Sequence, residues 1–113
     1  MSEERVNIIG VNISAVNMDS AVRQVTEHID DARHNYICVS NVHTTVFARE
    51  NEYYKDIQNN SYLSLPDGKP LSVVGKKKGY REMDRVTGPD FMEQVMLCPG
   101  FRHYFYGNTI LLQ

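Results

Sequence analysis

Two short β-prone runs, each followed by a helical stretch, limit this chain to one class of fold more strongly than any other feature. The runs are YICVS, residues 36–40, and YLSL, residues 62–65. Continuous runs of this kind are typical of strands in a parallel sheet whose faces are covered by helices, and parallel neighbours need a long connection between them. We therefore predict an α/β fold with a mostly parallel sheet and flanking helices.

The segments that precede and separate these runs complete the pattern. RVNIIGVNISAVN, residues 5–17, alternates around Gly10 and predicts a hairpin of two short strands. Asn17 suits the N-cap of a helix over 18–31, and residues 41–60 predict one or two more helices. The positions expected to be buried are Val6, Ile8, Val11 and Ile13 in the hairpin, and Ala21, Val22, Val25 and Ile29 on the helix.

Three further elements are predicted after YLSL. Pro70 follows a turn and can open a helix over 71–78. TGPDFMEQVM, residues 87–96, predicts another helix, and RHYFYG, residues 102–107, predicts a third strand. Aromatic residues in these periodic segments are expected to pack in the core or at its rim; they are Tyr53, Tyr54, Tyr104, Phe105 and Tyr106.

Composition and charge exclude several classes of protein. With 113 residues, 42% of them hydrophobic and 23% charged, the chain suits one globular domain. A formal charge of −2 offers no basic surface to nucleic acid. Cys38 and Cys98 lack zinc or disulfide spacing, so reduced thiols in the cytoplasm are expected. The sequence contains neither a signal-peptide pattern nor a run long enough to span a membrane, so we expect any membrane association to be peripheral.

Polar residues follow each predicted strand of the sheet. In parallel sheets the ligand crevice lies beyond the carboxyl ends of the strands. Residues 40–43, Asp67 with Gly68, and Gly107 with Asn108 occupy such positions, and we expect them to converge on one edge. A carboxylate held there by a rigid strand can take a proton from a bound hydroxyl, which makes Asp67 a candidate general base.

The same residues also have a purely structural interpretation. Asp-Gly after a strand is a common turn signal, and Asn41 or His43 could cap the helix that follows. The alternative to an enzyme is therefore a non-catalytic α/β binding or scaffold module in which Asp67 only closes a turn. The residues by themselves leave both alternatives open.

Four blocks, taken together and in order, resemble a known family. They are CVSNVHTTVFARENEYY, LPDGKPLSVVGKKKG, RVTGPDFMEQVM and FRHYFYG. In this order they resemble the bacterial WecG/TagA/CpsF glycosyltransferases, over about residues 6–107. The resemblance implies a Rossmann-like domain of cell-envelope or exopolysaccharide biosynthesis. It implies transfer of a sugar, N-acetylmannosamine or a related hexose, from a UDP-sugar to a polyprenyl-pyrophosphate-linked acceptor.

The resemblance also implies roles for particular residues. The aspartate of the PDG element, here Asp67, would be the general base of an inverting transfer. Asn41 would position a sugar or the acceptor, and Arg85 would hold a phosphate or support the structure. The other residues implied to bind substrate are Thr44, Gly68, Gly88 and Asp90. No metal or other cofactor is implied, and the location implied is the cytoplasm or, peripherally, the inner face of the cell membrane.

Two departures from the family pattern limit what the resemblance implies. Many relatives carry threonine where this chain has Val39, and Ser40 or Thr44 would have to substitute for it. Relatives are also much longer, and they continue with a second glycine where Asn108 stands here. Residues 1–113 would then form an N-terminal half without the C-terminal half and its membrane-binding appendage. We expect weak or no turnover from this half alone, and self-association through an uncovered sheet edge.

Overall fold

The first structural unit is an antiparallel hairpin. The structure, a computed structural model, describes residues 4–32 and 34–107. Strand β1 (Arg5–Ile8) pairs with β2 (Val11–Ser14). Both residues of the connection have positive φ, 46° at Ile9 and 94° at Gly10, which matches the twist that a two-residue hairpin turn needs. The predicted hairpin is confirmed, and its four expected apolar residues are buried.

Helix α1 (Met18–Glu27) starts at the predicted cap. Asn17 Oδ1 accepts the Ser20 N–H at 2.9 Å, and Ser20 Oγ accepts the Asn17 N–H at 3.0 Å. This reciprocal pair is a capping box, which satisfies two backbone donors that the helix leaves unpaired. Ala21 and Val25 are buried on the face that the sequence predicts.

The predicted single helix over residues 18–31 is wrong at one point. His28 departs from helical geometry, and a short separate helix, α2 (Ile29–Ala32), follows it. The Thr26 hydroxyl donates to the Val22 carbonyl at 2.9 Å, and such back-bonding tends to bend or weaken a helix.

The central unit is a parallel strand pair joined by two helices. Strand β3 (Ile37–Ser40) leads into α3 (Val42–Glu50) and α4 (Glu52–Asn59), and the chain returns in β4 (Leu63–Pro66). The two strands pair in parallel, as predicted. β4 is buried along its whole length.

Strand β3 is less buried than its sequence predicts. Only Ser40 is buried, and Val39 is 40% exposed. The physical reason is that β4 lies between β3 and the hairpin, where the Ser64 N–H donates to the Ser14 Oγ at 2.8 Å, whereas in the described part of the chain β3 pairs with β4 alone.

Two helices complete the described fold. Helix α5 (Lys69–Lys77) carries Pro70 in its first turn, and α6 (Gly88–Leu97) begins after the cap residue Thr87. The predicted third strand is wrong, because residues 101–107 form neither a strand nor a helix. Its aromatic residues are also not in the core: Tyr104, Phe105 and Tyr106 are exposed.

The core consists of two apolar clusters on either side of the strands. One joins the hairpin to α3 and α5, and the other packs β4 against α1 and α6. This arrangement confirms the α/β class, although each of the two sheets has only two strands within the described residues. The strand β4 at the centre is therefore a rigid support for the residues that follow it.

Candidate active site at the carboxyl ends of the parallel strands

The carboxyl ends of β3 and β4 bring two of the predicted segments together. Ser40 and Pro66 are partners in the strand register, and the Asp67 N–H extends the ladder by donating to the Ser40 carbonyl at 2.8 Å. A Cβ atom built on Gly68 would lie 3.7 Å from the Asn41 Cα. Asn41 and the Asp67–Gly68 pair are therefore neighbours.

The third predicted segment does not join them by way of a strand. Gly107 is exposed and follows no strand, and Asn108 lies outside the described residues. The structure thus supports convergence of two segments instead of three.

Asp67 combines a fixed backbone with a partly exposed carboxylate. Its N–H lies 2.8 Å from the Ser40 carbonyl and 2.9 Å from the Leu65 carbonyl. Its side chain is 24% exposed. The N-cap residue of helix α5 is Gly68, and among the described residues the Asp67 carboxylate accepts no hydrogen bond from the first turn of that helix.

Arg85 holds the turn that carries Asp67. The Arg85 Nε donates to the Asp67 carbonyl at 2.7 Å, and its Nη2 lies 3.9 Å from the Asp67 Oδ1. The Arg85 side chain is 56% exposed, so this ion pair contributes little to stability. A guanidinium has five N–H donors in a planar fork, and those not used here can serve a phosphate group.

Asn41 caps helix α3 with one end of its side chain only. Its Oδ1 accepts the Thr44 N–H at 2.9 Å, and the Thr44 Oγ1 accepts the Asn41 N–H at 3.0 Å. Within the described residues, the Asn41 amide NH₂ donates to no protein group. The Thr44 hydroxyl also donates to the Asn41 carbonyl at 3.2 Å, so its role in this structure is to close the cap.

The segment from Arg85 to Asp90 also reaches this edge. The Val86 N–H donates to the Pro66 carbonyl at 2.9 Å. A Cβ atom on Gly88 would lie 3.2 Å from a Val39 methyl group, so the start of α6 packs closely on β3. Asp90 is exposed in the first turn of α6, where its N–H donates to the Thr87 hydroxyl at 3.3 Å. Its carboxylate contacts neither Asp67 nor Arg85.

A buried polar network beneath this edge was not predicted from the sequence. The hydroxyl groups of Ser40 and Ser64 lie 2.6 Å apart, and Ser40 donates to the Gln58 Oε1 at 2.7 Å. The Gln58 Nε2 in turn donates to the Tyr54 hydroxyl at 3.1 Å. The only sequence signal is the serine in each β-prone run. The network ties α4 to both strands just below Asn41 and Asp67.

Two other reactive side chains lie nearby without entering the site. His43 is exposed in the first turn of α3. Burial raises the pKa of the Cys38 thiol, although a hydrogen bond from Ser61 and the charge of Arg5 partly oppose that effect. A raised pKa disfavours the nucleophilic thiolate.

The described residues offer neither a metal site nor a membrane span. No group of three or more His, Cys, Asp or Glu side chains there could hold a metal ion. No helix in that part of the chain is long and apolar enough to cross a membrane. The expectations of a metal-free reaction and of peripheral membrane association remain predictions.

The arrangement of groups at this strand edge indicates a class of protein. An open carboxylate at the carboxyl edge of parallel strands, with amide and guanidinium donors beside it, is typical of α/β proteins that act on a bound small molecule. Residues 6–110 match the family described as glycosyl transferase WecG/TagA/CpsF, and the chain belongs to that family. It is thus a glycosyltransferase of the kind that serves cell-envelope polysaccharide synthesis. A search of curated proteins found no match.

Proposed function

We propose that this protein takes part in transfer of a sugar from a UDP-sugar to a polyprenyl-pyrophosphate-linked acceptor, with inversion at the anomeric carbon. The sugar is N-acetylmannosamine or a related hexose. The observation that carries the proposal is the Asp67 carboxylate, which projects from the end of a buried strand and is not used for capping. Asp67 takes the proton of the acceptor hydroxyl as its oxygen attacks the anomeric carbon.

The neighbouring groups have complementary tasks in this proposal. Attack by the acceptor hydroxyl on one face of the sugar requires the nucleoside diphosphate to depart from the other face. The site therefore needs hydrogen-bond donors for the sugar or acceptor and also for the departing phosphate groups. The Asn41 amide offers N–H groups to a sugar or acceptor hydroxyl. The free donors of Arg85 can pair with phosphate oxygens. The capping box at Asn41 and the hydrogen bond of Arg85 to the Asp67 carbonyl hold both groups in place.

The scaffold alternative has less support from the same geometry. A turn aspartate normally accepts a hydrogen bond from its own backbone two residues on, or caps the helix that follows. In the described residues the Asp67 carboxylate does neither, and its one ion-pair partner there is Arg85, at 3.9 Å.

Replacing Asp67 tests the proposal. Asp67→Asn keeps the shape of the side chain and removes the base, so in a chain that shows transfer from UDP-sugar to the lipid-pyrophosphate acceptor this substitution should abolish it. Unfolding free energy should change by less than about 0.5 kcal/mol, since the side chain is not tied into the fold. Asp56→Asn, at an exposed carboxylate on α4, is the matched control and should leave both properties unchanged.

Binding provides a second measurement that does not depend on turnover. Titration of the ¹⁵N-labelled chain with UDP should shift the backbone amides of Asn41, Gly68 and Gly88. Equal transfer by the Asp67→Asn variant would contradict the role of the base. A chain that neither binds UDP nor transfers sugar would contradict the proposal for these 113 residues.

A further inference from the structure

An apolar groove of about 150 Å³ lies between the hairpin turn and the first turns of α3 and α5. Its walls include Ile9, Val42, Val46, Pro70, Leu71 and Val74. Thr45 also reaches the groove, and its hydroxyl is engaged elsewhere because it donates to the Asn41 carbonyl at 2.7 Å. The groove therefore presents hydrocarbon to solvent.

The exposed apolar side chains of this groove are costly for a protein surface. Ile9, Val42 and Val46 are each 46% exposed. Ile9 also has a φ of 46°, a left-handed conformation that is unfavourable for a β-branched residue. Asparagine is the usual choice at this position of an X-Gly hairpin turn. A strained and exposed isoleucine in place of the favoured residue suggests a role in binding.

The groove is continuous with the candidate active site. A Cβ atom on Gly68 would lie 3.7 Å from both the Val42 nitrogen and the Pro70 Cδ, and Val42 and Pro70 are groove walls. Lys69, which is exposed, stands between Gly68 and Pro70 at the start of α5. The junction of the site and the groove therefore carries one lysine.

We propose that the groove binds the isoprenoid units of the acceptor that adjoin its pyrophosphate. This inference rests on the proposed function, because it places the lipid of the acceptor beside the base that activates the acceptor sugar. The matching ligand has a branched hydrocarbon tail joined to an anionic head, and the surface offers a branched apolar groove, then a lysine, then polar donors. A bilayer or a second copy of the chain would match the apolar part alone.

The first test compares two soluble probes, farnesyl pyrophosphate and inorganic pyrophosphate. Burial of the isoprenoid chain should make farnesyl pyrophosphate bind about tenfold more tightly or better. It should also shift the methyl NMR signals of Val42, Val46 and Val74. Equal affinity for the two probes would overturn the proposal. Methyl shifts that change with protein concentration or with added neutral lipid vesicles, and that do not respond to farnesyl pyrophosphate, would also overturn it.

Two pairs of variants separate binding from stability. Ile9→Asn should raise Tm, because it relieves strain in the turn, and should nevertheless weaken binding of farnesyl pyrophosphate. Val46→Ser should weaken that binding about threefold, whereas Val73→Ser, at a 39% exposed valine on α5 outside the groove wall, should not. Equal effects of the two serine variants would overturn the assignment of the groove.

The failure of this inference can be told apart from failure of the proposed function. If Asp67→Asn abolishes transfer while farnesyl pyrophosphate binds no better than pyrophosphate, the transferase proposal stands and the groove proposal falls. If farnesyl pyrophosphate occupies the groove while UDP binding and transfer are absent, the isoprenoid site stands and the proposed function falls.

Discussion

At the scale of single residues, the fit between Gly75 and Met83 secures the segment that carries Arg85. A Cβ atom on Gly75 would lie 2.1 Å from the Met83 Sδ, so only glycine leaves room for this methionine in its present position. Met83 is fully buried. It anchors the chain two residues before Arg85, whose guanidinium contacts Asp67. The packing of Met83 against α5 therefore contributes to the geometry of the site.

Adding one methyl group at this contact should be destabilising. Gly75→Ala gains about 1 kcal/mol of helix propensity and forces a buried side chain to move, at a cost of roughly 1–3 kcal/mol. We expect a net loss of unfolding free energy in urea denaturation, together with weaker UDP binding. In a Met83→Ala background the conflict is gone, so the same substitution should there be neutral or stabilising. A loss of equal size in both backgrounds would contradict the packing argument.

At the scale of secondary-structure elements, two capping boxes of the same design perform different tasks. Asn17 caps α1, and its amide NH₂ is also engaged, donating to the Glu82 carbonyl at 3.0 Å. Asn41 caps α3 in the same way while its amide NH₂ stays free within the described residues. Both ends of the Asn17 side chain are therefore engaged within the fold, whereas the Asn41 amide keeps unused N–H donors at the strand edge.

Substitutions at the two caps should separate stability from binding. Asn17→Ala and Asn41→Ala should each lower the unfolding free energy by about 1 kcal/mol, because each removes a helix cap. Asn41→Asp keeps the acceptor of the cap and loses the amide donors, so stability should be nearly retained and binding of UDP or acceptor weakened. Calorimetry with the three variants measures both. Wild-type ligand binding by Asn41→Asp would argue that Asn41 is a cap only.

At the scale of the whole molecule, apolar and hydrogen-bonding surface remains open along one side. Within the described residues the outer edge of β3 pairs with no strand, and Val39 on that strand is 40% exposed. Met92 and Leu97 on α6 are 50% and 71% exposed. Unpaired edges beside apolar surface favour strand pairing between molecules.

We therefore expect the 113-residue chain to self-associate. Sedimentation velocity should give an average mass that rises with concentration. Val39→Lys should reduce that rise, since charged residues on an edge strand oppose pairing. Val73→Lys is the control, because this valine has nearly the same exposure and lies on a helix. A monomer over a wide range of concentrations would contradict this expectation.

Features that depend on short-range pattern and turn chemistry could be predicted from the sequence alone. The hairpin around Gly10, the cap at Asn17, the α/β class and the placement of Asn41 and Asp67 at strand ends all follow from alternation, capping residues and the geometry of parallel strands. These signals are local, because hydrogen bonds within a turn or helix involve residues a few positions apart. The family resemblance also came from the order of blocks in the sequence, and the match over residues 6–110 confirms it.

The packing of the whole fold settles which of those residues meet and which side chains remain free. No local pattern links Arg85 to the Asp67 carbonyl, Ser40 to Gln58, or Ile9 to Val46. The predicted strand at residues 102–107 does not form, because β-prone residues form a strand only when a partner strand and burial support them. The physical reason is that packing and pairing join residues far apart in the chain, so their outcome depends on the whole fold and not on the pattern of any one segment.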